Sequence, residues 1–210
     1  ETGELSTAFD LNDQKVEGSC GVTHENNFFI YGGYENQRQV LQVIDCSLSN
    51  IGSIPFNHEG ACDSWNGLIV LCFDYDDTKQ CRKATTPLGE WSDMALSTYD
   101  HRKTQIATSP GYLVDCRHLK WTFFILDGFL AVGSYSPYNV KAEVYDFGTG
   151  DWTTVQDYPY GVSRRYVAFY DMVYIPATSA YYVIGGYDGG RLSQITKFKN
   201  GVWIRACQLN

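Results

Sequence analysis

A short pattern of strands and turns recurs along this chain, and it constrains the fold more than any other feature of the sequence. The pattern is clearest between Tyr181 and Trp203. There an apolar run (residues 181–184) stops at a Gly-Gly pair, an alternating segment (192–198) follows, and a tight turn leads to Trp203. Short runs of this kind, separated by glycine-rich turns, predict antiparallel strands joined by hairpins. Because the same pattern appears upstream, it indicates a repeat architecture.

Four copies of this unit account for nearly the whole chain. In each copy, a large apolar or aromatic residue follows the end of the apolar run by about 17 to 19 residues. This spacing predicts units at 20–56, 57–97, 98–158 and 159–210, and residues 1–19 form a leader that adds at most one strand. The third unit is too long, and removing residues 114–129 restores a period in the mid-forties, which is typical of propeller blades. We therefore predict an insert at 114–129 that lies outside the strands of its unit.

The glycines and tryptophans of the unit have a physical explanation. A glycine that ends a buried strand permits a positive φ and a close approach of neighbouring backbone. One large aromatic side chain per unit can fill the gap between two twisted sheets. Both roles are structural, so they predict architecture and say nothing about a partner.

The residues at the marked positions resemble those of the kelch repeat. The resemblance covers about residues 20–203 and rests on an apolar strand that ends in two glycines, a strand that carries a tyrosine, and a following tryptophan. The matching residues are Gly32-Gly33, Gly185-Gly186, Tyr145, Trp91, Trp152 and Trp203. The departures are Cys72-Phe73 and Gly133-Ser134 at the double glycine, and Ile44 and Ile51 in the first unit.

Similarity to the kelch repeat implies an all-β fold in which each unit forms one four-stranded blade of a β-propeller. The family closes its ring with six or seven blades, so the resemblance implies about four kelch-like β-propeller blades that are part of a larger six- or seven-bladed propeller. An open arc leaves apolar faces of the first and last blades in water, which soluble monomers rarely tolerate. We therefore expect missing blades or a partner chain, tied through Cys207, to close the propeller.

The charge of the chain argues against nucleic-acid and membrane partners. Sixteen basic and twenty-four acidic residues give a formal net charge of −8, which repels phosphate backbones and anionic lipid headgroups. The longest apolar stretch, residues 121–132, is interrupted by Asp127-Gly128 and is shorter than the roughly 20 residues that span a bilayer. We predict no nucleic-acid binding and no membrane insertion.

Seven cysteines are many for a cytosolic protein and favour an oxidising compartment, so we predict a secreted or extracellular protein. Cys72 and Cys81 lie on either side of an acidic turn, on strands that should be adjacent, and we predict a disulfide between them. The odd number leaves one cysteine unpaired or bonded to another chain. An intracellular kelch adaptor with reduced thiols is the alternative.

The sequence predicts no catalytic residues, no cofactor and no metal. No two cysteines stand two to four residues apart and each histidine is isolated, so the spacing of a zinc site is missing. Asp74, Asp76 and Asp77 predict a solvated hairpin tip, because a dedicated calcium loop also needs a glycine and a distal glutamate. A propeller enzyme, such as a copper oxidase or a sugar-processing protein, is the alternative from another class, although no Gly-X-Ser-X-Gly elbow occurs.

Tyrosines and arginines in the predicted loops are the candidates for contact with a partner. Both residue types make good binding anchors, and loops between blade strands present them to solvent. The candidates are Tyr135, Tyr138, Tyr158, Tyr160, Arg164, Arg165, Tyr187 and Arg191. For any one of them, packing within a loop is the competing interpretation. Together they predict a non-catalytic binding or scaffold module that contacts a protein or glycan partner through loops on one propeller face.

Overall fold

In a computed structural model, the chain folds into sixteen β-strands and one short 3-10 helix within the described residues. The structure describes residues 18–44, 47–74, 76–109, 128–135, 138–160, 167–168 and 170–208. The strands form four sheets, and each sheet is an antiparallel meander of four strands in chain order. Over these residues no α-helix occurs, and the fold is all-β, as the sequence predicts.

Each sheet lies within one of the four predicted units. Sheet 1 contains β1 (Cys20–His24), β2 (Asn27–Tyr31), β3 (Gln39–Ile44) and β4 (Ser47–Ser53). Sheet 2 contains β5 (Ala61–Trp65), β6 (Leu68–Cys72), β7 (Cys81–Ala84) and β8 (Ser92–Asp93). Sheet 3 contains β9 (Ile106–Ser109), β10 (Gly128–Tyr135), β11 (Tyr138–Asp146) and β12 (Asp151–Thr154). Sheet 4 contains β13 (Asp171–Ile175), β14 (Ala180–Ile184), β15 (Gln194–Lys199) and β16 (Val202–Gln208), with the 3-10 helix (Pro176–Thr178) after β13.

The predicted end of the insert, residue 129, is wrong. Strand β10 begins at Gly128, and Phe129 within it is fully buried. Phe129 packs against Tyr145 and Trp152 in the core between sheets 2 and 3. The predicted boundary was wrong because apolar residues lie on both sides of Asp127-Gly128, so the sequence does not show that the strand begins at Gly128. Residues 110–127, which hold the rest of the predicted insert, lie outside the described residues.

Asparagine and glycine set the tight hairpins at one edge of the sheets. Asn66-Gly67 joins β5 to β6, and Asn200-Gly201 joins β15 to β16; in both turns the two residues have positive φ. Two-residue turns of this kind match the right-handed twist of the strands they connect. Glu25-Asn26, between β1 and β2, adopts the same conformation.

A residue with a left-handed backbone directly follows the second strand in sheets 1, 2 and 4, and one lies within the second strand of sheet 3. The φ angles are +66° at Gly32, +61° at Phe73, +65° at Gly133 and +66° at Gly185. The prediction that these glycines permit a positive φ is therefore confirmed. Phe73 is the exception in residue type, and its ring is buried against His101 and Trp152. The packing of that ring offsets the cost of a left-handed backbone at a residue with a side chain.

Three hydrophobic clusters hold consecutive sheets together. Val22 and Phe29 of sheet 1 pack with Ile69 and Leu71 of sheet 2. The next cluster joins sheets 2 and 3, and the last joins sheets 3 and 4. Adjacent residues of one strand serve different clusters because their side chains point to opposite faces. We call the face of a sheet that meets the next sheet its forward face, and the opposite one its backward face.

Burial along the strands shows which faces are covered. In the middle sheets, β6 is buried from Ile69 to Cys72 and β10 from Gly128 to Ser134, because both faces are packed. In the end sheets, burial in β1 and β13 alternates along the strand. In the described part of the chain, none of the three clusters joins sheet 4 to sheet 1. Over the described residues, the four sheets therefore form an arc, and none of these clusters includes the outer face of sheet 1 or of sheet 4.

The tryptophans near the fourth strands fill the gaps between sheets, as predicted. Trp91 packs against Tyr31 of sheet 1, and Trp152 packs against Phe73 of sheet 2. Trp203 packs against Tyr158, which follows the last strand of sheet 3. The indole N–H groups of Trp152 and Trp203 donate to backbone carbonyls of the loop that precedes their own sheet, each at 2.8 Å.

Two disulfides stabilise sheets 1 and 2. Cys72 and Cys81 are bonded across β6 and β7, which confirms the predicted pairing. Cys20 and Cys62, which the sequence did not pair, join β1 to β5 across neighbouring sheets. Among the described cysteines, Cys207 is free and exposed. The described residues contain no helix with the length and apolar character needed to cross a bilayer.

Candidate functional site

The first strands of the four sheets lie next to one another and begin at a common edge. Strand β5 contacts β1 on one side and β9 on the other, and β9 contacts β13. At their starts, loops from neighbouring elements are hydrogen-bonded: Gly33 N–H donates to His58 O (3.1 Å) and Tyr135 N–H to Arg102 O (3.0 Å). The N–H of Ala168 likewise donates to Tyr187 O at 3.2 Å. We call this side of the arc the loop edge; its described segments are 32–38, 54–60, 73–74, 76–80, 94–105, 155–160, 167–168, 170 and 185–193, with the strand ends at Tyr135 and Tyr138.

All of the described partner candidates lie in segments of the loop edge. Tyr135 ends β10 and Tyr138 begins β11, with 37% and 59% of their surfaces exposed. Their ring centroids are 5.7 Å apart in an edge-to-face arrangement. Tyr187, 38% exposed, and Arg191, also exposed, form a bridge within the loop between β14 and β15. Arg164 and Arg165 lie outside the described residues.

Tyr158 is not a partner residue, which corrects the sequence prediction. Its side chain is 1% exposed, its hydroxyl is 3.1 Å from Thr196 Oγ1, and its ring packs edge-on against Trp203. Burial raises the pKa of Tyr158 to about 12. The loop that carries it crosses the gap between sheets 3 and 4, so its inward side chains fill the core. Tyr160 is partly exposed and packs on Tyr158.

A polar pocket of about 290 Å³ opens at the loop edge, beside the starts of β1, β5 and β9. Its lining residues are Gly18, Ser19, Glu59, Gly60, Lys103, Thr104 and Gln105. Glu59 and Lys103 form an ion pair, although only 4% of the Glu59 side chain and 24% of the Lys103 side chain are exposed. The pocket thus offers a carboxylate, an ammonium group, hydroxyls and an amide in a partly enclosed space.

Asp74 lies behind this ion pair and is buried, so it is not part of a solvated hairpin tip as the sequence predicted. Its Oδ1 accepts a hydrogen bond from the backbone N–H of Glu59 at 3.1 Å. Burial raises the pKa of Asp74 to about 6 despite that hydrogen bond. Asp76 is exposed, and Asp77 forms an ion pair with Arg82. The prediction failed because the turn folds back onto the preceding loop.

Two histidines of the loop edge, His58 and His101, have buried side chains. His58 is fully enclosed, and burial lowers its pKa to about 3, which keeps the ring neutral. His101 lies between Gly133 O and Glu143 Oε2, each 3.0 Å from a ring nitrogen. Glu143 also accepts hydrogen bonds from the backbone N–H groups of Thr98 and Tyr99.

Glu143 ties the 94–105 loop to sheet 3. Burial on its own raises the pKa of Glu143, but the hydrogen bonds from His101, Tyr99 and Thr98 outweigh it and hold the pKa below its usual value. Both carboxylate oxygens accept hydrogen bonds from this loop, and the side chain is fully buried. The arrangement therefore fixes the loop that supplies Lys103 and Gln105 to the pocket.

A second cavity, of about 380 Å³, adjoins the pocket through Gln105. It is lined by residues of the first strands of all four sheets, so it lies on the axis of the arc. Asp63 and Asp171 contribute carboxylates to its wall. The hydroxyl of Tyr174, another wall residue, has no hydrogen-bond partner among the described residues.

The described residues contain no group of three His, Cys, Asp or Glu side chains placed to hold a metal ion. The pocket residues were missed by sequence reasoning because Glu59 and Lys103 come from different units. The one signal that could have found them is positional. Each stands a few residues before the first strand of a unit, where the repeat brings loops together.

No family model matches the chain, and no curated protein matches its sequence. Among solved structures, the structure of YjhT matches with a TM-score of 0.63 over 92% of this chain, at 9% sequence identity. The chain spans 66% of the length of that structure. At this identity the likeness shows the fold alone: the arrangement of the four sheets is one that occurs in solved proteins.

Proposed function

We propose that this chain is a non-catalytic binding module of an extracellular protein, and that it contacts a protein or glycan partner through its loop edge. The observation that carries the proposal is the exposure of Tyr135, Tyr138, Tyr187 and Arg191 on that edge. Tyrosine and arginine are enriched at the energetic centres of protein interfaces. The polar pocket lies on the same edge and adds paired donors and acceptors.

We also propose that the four sheets are kelch-like blades of a larger propeller. Their first strands surround a common cavity, and the same left-handed residue recurs in each unit. The matched part of YjhT is 66% of its length. The unmatched third corresponds to about two further units, which favours a ring of about six blades.

The two disulfides support the extracellular location. A count of reactive thiols in the unfolded, unreduced protein tests this part of the proposal. Paired cysteines at both positions leave at most three of the seven cysteines reactive. Seven reactive thiols favour an intracellular kelch adaptor instead.

The binding proposal is tested on a glycan microarray and on an array of extracellular protein domains. We expect Tyr138→Ala and Tyr187→Ala to lower binding to the best array ligand at least tenfold. Leu88→Ala is the matched control, since Leu88 is 46% exposed but lies on the turn between β7 and β8, at the opposite edge. Equal losses for Leu88→Ala and the tyrosine variants contradict a binding site at the loop edge.

A second candidate function, that of a sugar-processing propeller enzyme, is favoured by one observation. Asp74, whose pKa burial raises to about 6, lies behind the pocket and accepts a hydrogen bond from the backbone N–H of Glu59, whose carboxylate lines it. Carboxyl groups with perturbed pKa values beside a pocket are found at sites of proton transfer. The test is to incubate the protein with a panel of reducing sugars and follow their proton NMR spectra. Turnover that Glu59→Gln abolishes supports the enzyme; an unchanged spectrum supports the binding module.

A further inference from the structure

We propose that the disulfide between Cys20 and Cys62 is a site of thiol–disulfide exchange. An external thiol attacks Cys62 Sγ from the cavity on the axis of the arc and releases Cys20 as a thiolate beside His58. Reduction at this site unlinks sheets 1 and 2 next to the polar pocket. The reaction is independent of any partner at the loop edge.

The two disulfides of the described residues differ in what surrounds them. Cys62 is one of the wall residues of the 380 Å³ cavity, and Gly21, which follows Cys20, is another. Cys72 and Cys81 are 1% and 0% exposed and border neither this cavity nor the polar pocket. A space of this size admits a small thiol, and exchange requires a thiolate to reach one of the sulfurs. The surroundings therefore favour exchange at the Cys20–Cys62 disulfide.

The cavity also distinguishes the two sulfurs of this disulfide. Cys20 lies on the forward face of sheet 1 and Cys62 on the backward face of sheet 2, within the cluster that joins the two sheets. Cys62 borders the cavity, whereas Cys20 borders neither the cavity nor the polar pocket. Cys20 lies next to a histidine instead, with its Sγ 3.4 Å from His58 Nε2. The attacked sulfur is therefore that of Cys62, and the leaving sulfur is that of Cys20.

His58 is placed to stabilise the leaving thiolate. Its side chain is fully buried, and burial together with the charge of Arg82 lowers its pKa to about 3. The ring is thus neutral and, with its proton on Nε2, donates a hydrogen bond to the sulfur of Cys20. A hydrogen bond to the thiolate lowers the pKa of the thiol, and a thiol of lower pKa is the better leaving group.

The reaction needs no reactant other than thiols. The external thiolate forms a bond to Cys62 Sγ, the bond between the two protein sulfurs breaks, and Cys20 leaves with the electron pair. A second external thiolate attacks the external sulfur of this mixed disulfide and releases Cys62 as a thiolate. Two external thiols are thereby oxidised to one disulfide, their protons pass through solvent to the protein thiolates, and the protein disulfide gains two electrons.

The disulfide joins two walls of the polar pocket. Residues 18–19 of the pocket directly precede Cys20, and residues 59–60 of the pocket stand just before Cys62. Without the disulfide, the covalent connection between these walls is the chain itself, over a sequence separation of 42. Reduction therefore frees the two walls to move apart, so the redox state of this disulfide sets how firmly the pocket is held.

The first experiment maps the reaction on the 210-residue chain with Cys207→Ser, which removes the free thiol among the described cysteines. The chain is incubated with reduced glutathione at neutral pH, acid stops the reaction, and free thiols are labelled with N-ethylmaleimide in urea before peptide mapping. We expect the Cys20–Cys62 bond to be lost roughly tenfold faster than the Cys72–Cys81 bond, with glutathione on Cys62 and the label on Cys20. Equal rates for the two disulfides, or glutathione mainly on Cys20, overturn the proposal.

The dependence of the rate on glutathione concentration shows which state of the chain reacts. A rate that rises in proportion to the concentration shows attack on the folded chain, which is the expected result. A rate that levels off at the rate of global unfolding shows that the sulfurs become accessible only in the unfolded chain. That result overturns the proposal.

The second experiment narrows the cavity. Val173 lines the cavity and is 42% exposed, so Val173→Trp fills space there without replacing a core residue. Val202→Trp is the matched control, since Val202 is 50% exposed on the same sheet and does not border the cavity. We expect Val173→Trp to slow the reduction of the Cys20–Cys62 disulfide severalfold and Val202→Trp to leave it unchanged. Equal rates in the two variants overturn attack from the cavity.

The third experiment tests the histidine. His58→Leu removes the ring nitrogen beside Cys20, and His58→Gln keeps an N–H donor in its place. We expect His58→Leu to slow the reduction severalfold and His58→Gln to recover part of the rate; an unchanged rate in His58→Leu contradicts the role of His58. Circular dichroism shows whether each variant folds, and the position of glutathione in the chain with native His58 tests the proposal if neither does.

Amide hydrogen exchange of the oxidised chain and of the chain reduced at Cys20 and Cys62 tests the effect on the pocket. We expect residues 18–24 and 58–62 to exchange faster after reduction, and β15 in sheet 4 to exchange equally in both states. Equal exchange at 18–24 and 58–62 in both states overturns the link to the pocket. None of these measurements uses a loop-edge ligand, so their failure is distinguished from a failure of the proposed binding function.

Discussion

Replacing Gly32 by alanine tests the packing of the loop edge, and Gly67→Ala is its matched control. Both glycines have positive φ, +66° and +76°. A Cβ at Gly67 would meet no atom within 4 Å, whereas a Cβ at Gly32 would overlap the carbonyl oxygen of His58 and lie 3.1 Å from that of Gln37. The two substitutions therefore share the conformational cost and differ in the steric one.

The expected magnitudes follow from these surroundings. A left-handed backbone costs an alanine about 1–2 kcal/mol at either position. At Gly32 the 54–60 loop must also move, which breaks the hydrogen bonds from Gly33 N to His58 O and from His58 N to Gln37 O. Each is worth about 1 kcal/mol. We therefore expect a loss of about 1–2 kcal/mol for Gly67→Ala and of about 3–4 kcal/mol for Gly32→Ala.

Equilibrium unfolding in urea, followed by tryptophan fluorescence and by far-UV circular dichroism, gives both free energies of unfolding. Agreement between the two probes shows that unfolding is two-state, which makes the comparison valid. If Gly32→Ala lowers the free energy of unfolding no more than Gly67→Ala does, the 54–60 loop does not pack closely against Gly32.

Three further predictions concern buried groups. Cys20→Ala with Cys62→Ala should lower the free energy of unfolding by about 4 kcal/mol in urea, because the disulfide spans 42 residues; a loss below about 1 kcal/mol contradicts the pairing. Glu143→Gln should lower the free energy of unfolding by about 3 kcal/mol at pH 7, since an amide cannot accept all the hydrogen bonds of the carboxylate. Because the folded pKa of Glu143 is depressed, the stability that it adds above pH 4–5 should be lost as the pH falls. Asp74 has a raised folded pKa of about 6, so the stability it contributes is complete below its unfolded pKa near 4 and is lost as the pH rises through 6. Asp74→Asn should remove that pH dependence of the free energy of unfolding. If the native chain and Asp74→Asn show the same pH dependence between pH 4 and 7, Asp74 is not buried.

The sequence predicted those parts of the fold that require a particular residue type at a particular position. The left-handed positions at Gly32 and Gly185 need glycine-like freedom, so the repeat was visible there. Trp152 and Trp203 mark the gaps between sheets because few other side chains fill such a space. The hairpin at Cys72 and Cys81 is local, and its pairing could be derived from the short turn.

Contacts between units could not be derived in the same way. The Cys20–Cys62 disulfide and the Glu59–Lys103 ion pair join residues whose distance depends on the angle between whole sheets. That angle is set by the packing of many side chains and has no local signature. Tyr158 was misassigned for a related reason, since a loop that crosses an inter-sheet gap carries both core and surface residues.

Amide hydrogen exchange of the chain, free and bound to its best array ligand, tests binding at the loop edge most directly. We expect binding to protect amides in the 32–38, 76–80, 94–105 and 185–193 segments, around Tyr138 and the polar pocket. The hairpins at 25–26, 66–67 and 200–201 should exchange equally in both states, because they lie at the opposite edge of the sheets. Protection confined to those hairpins, with no change at the loop edge, would contradict binding at the loop edge.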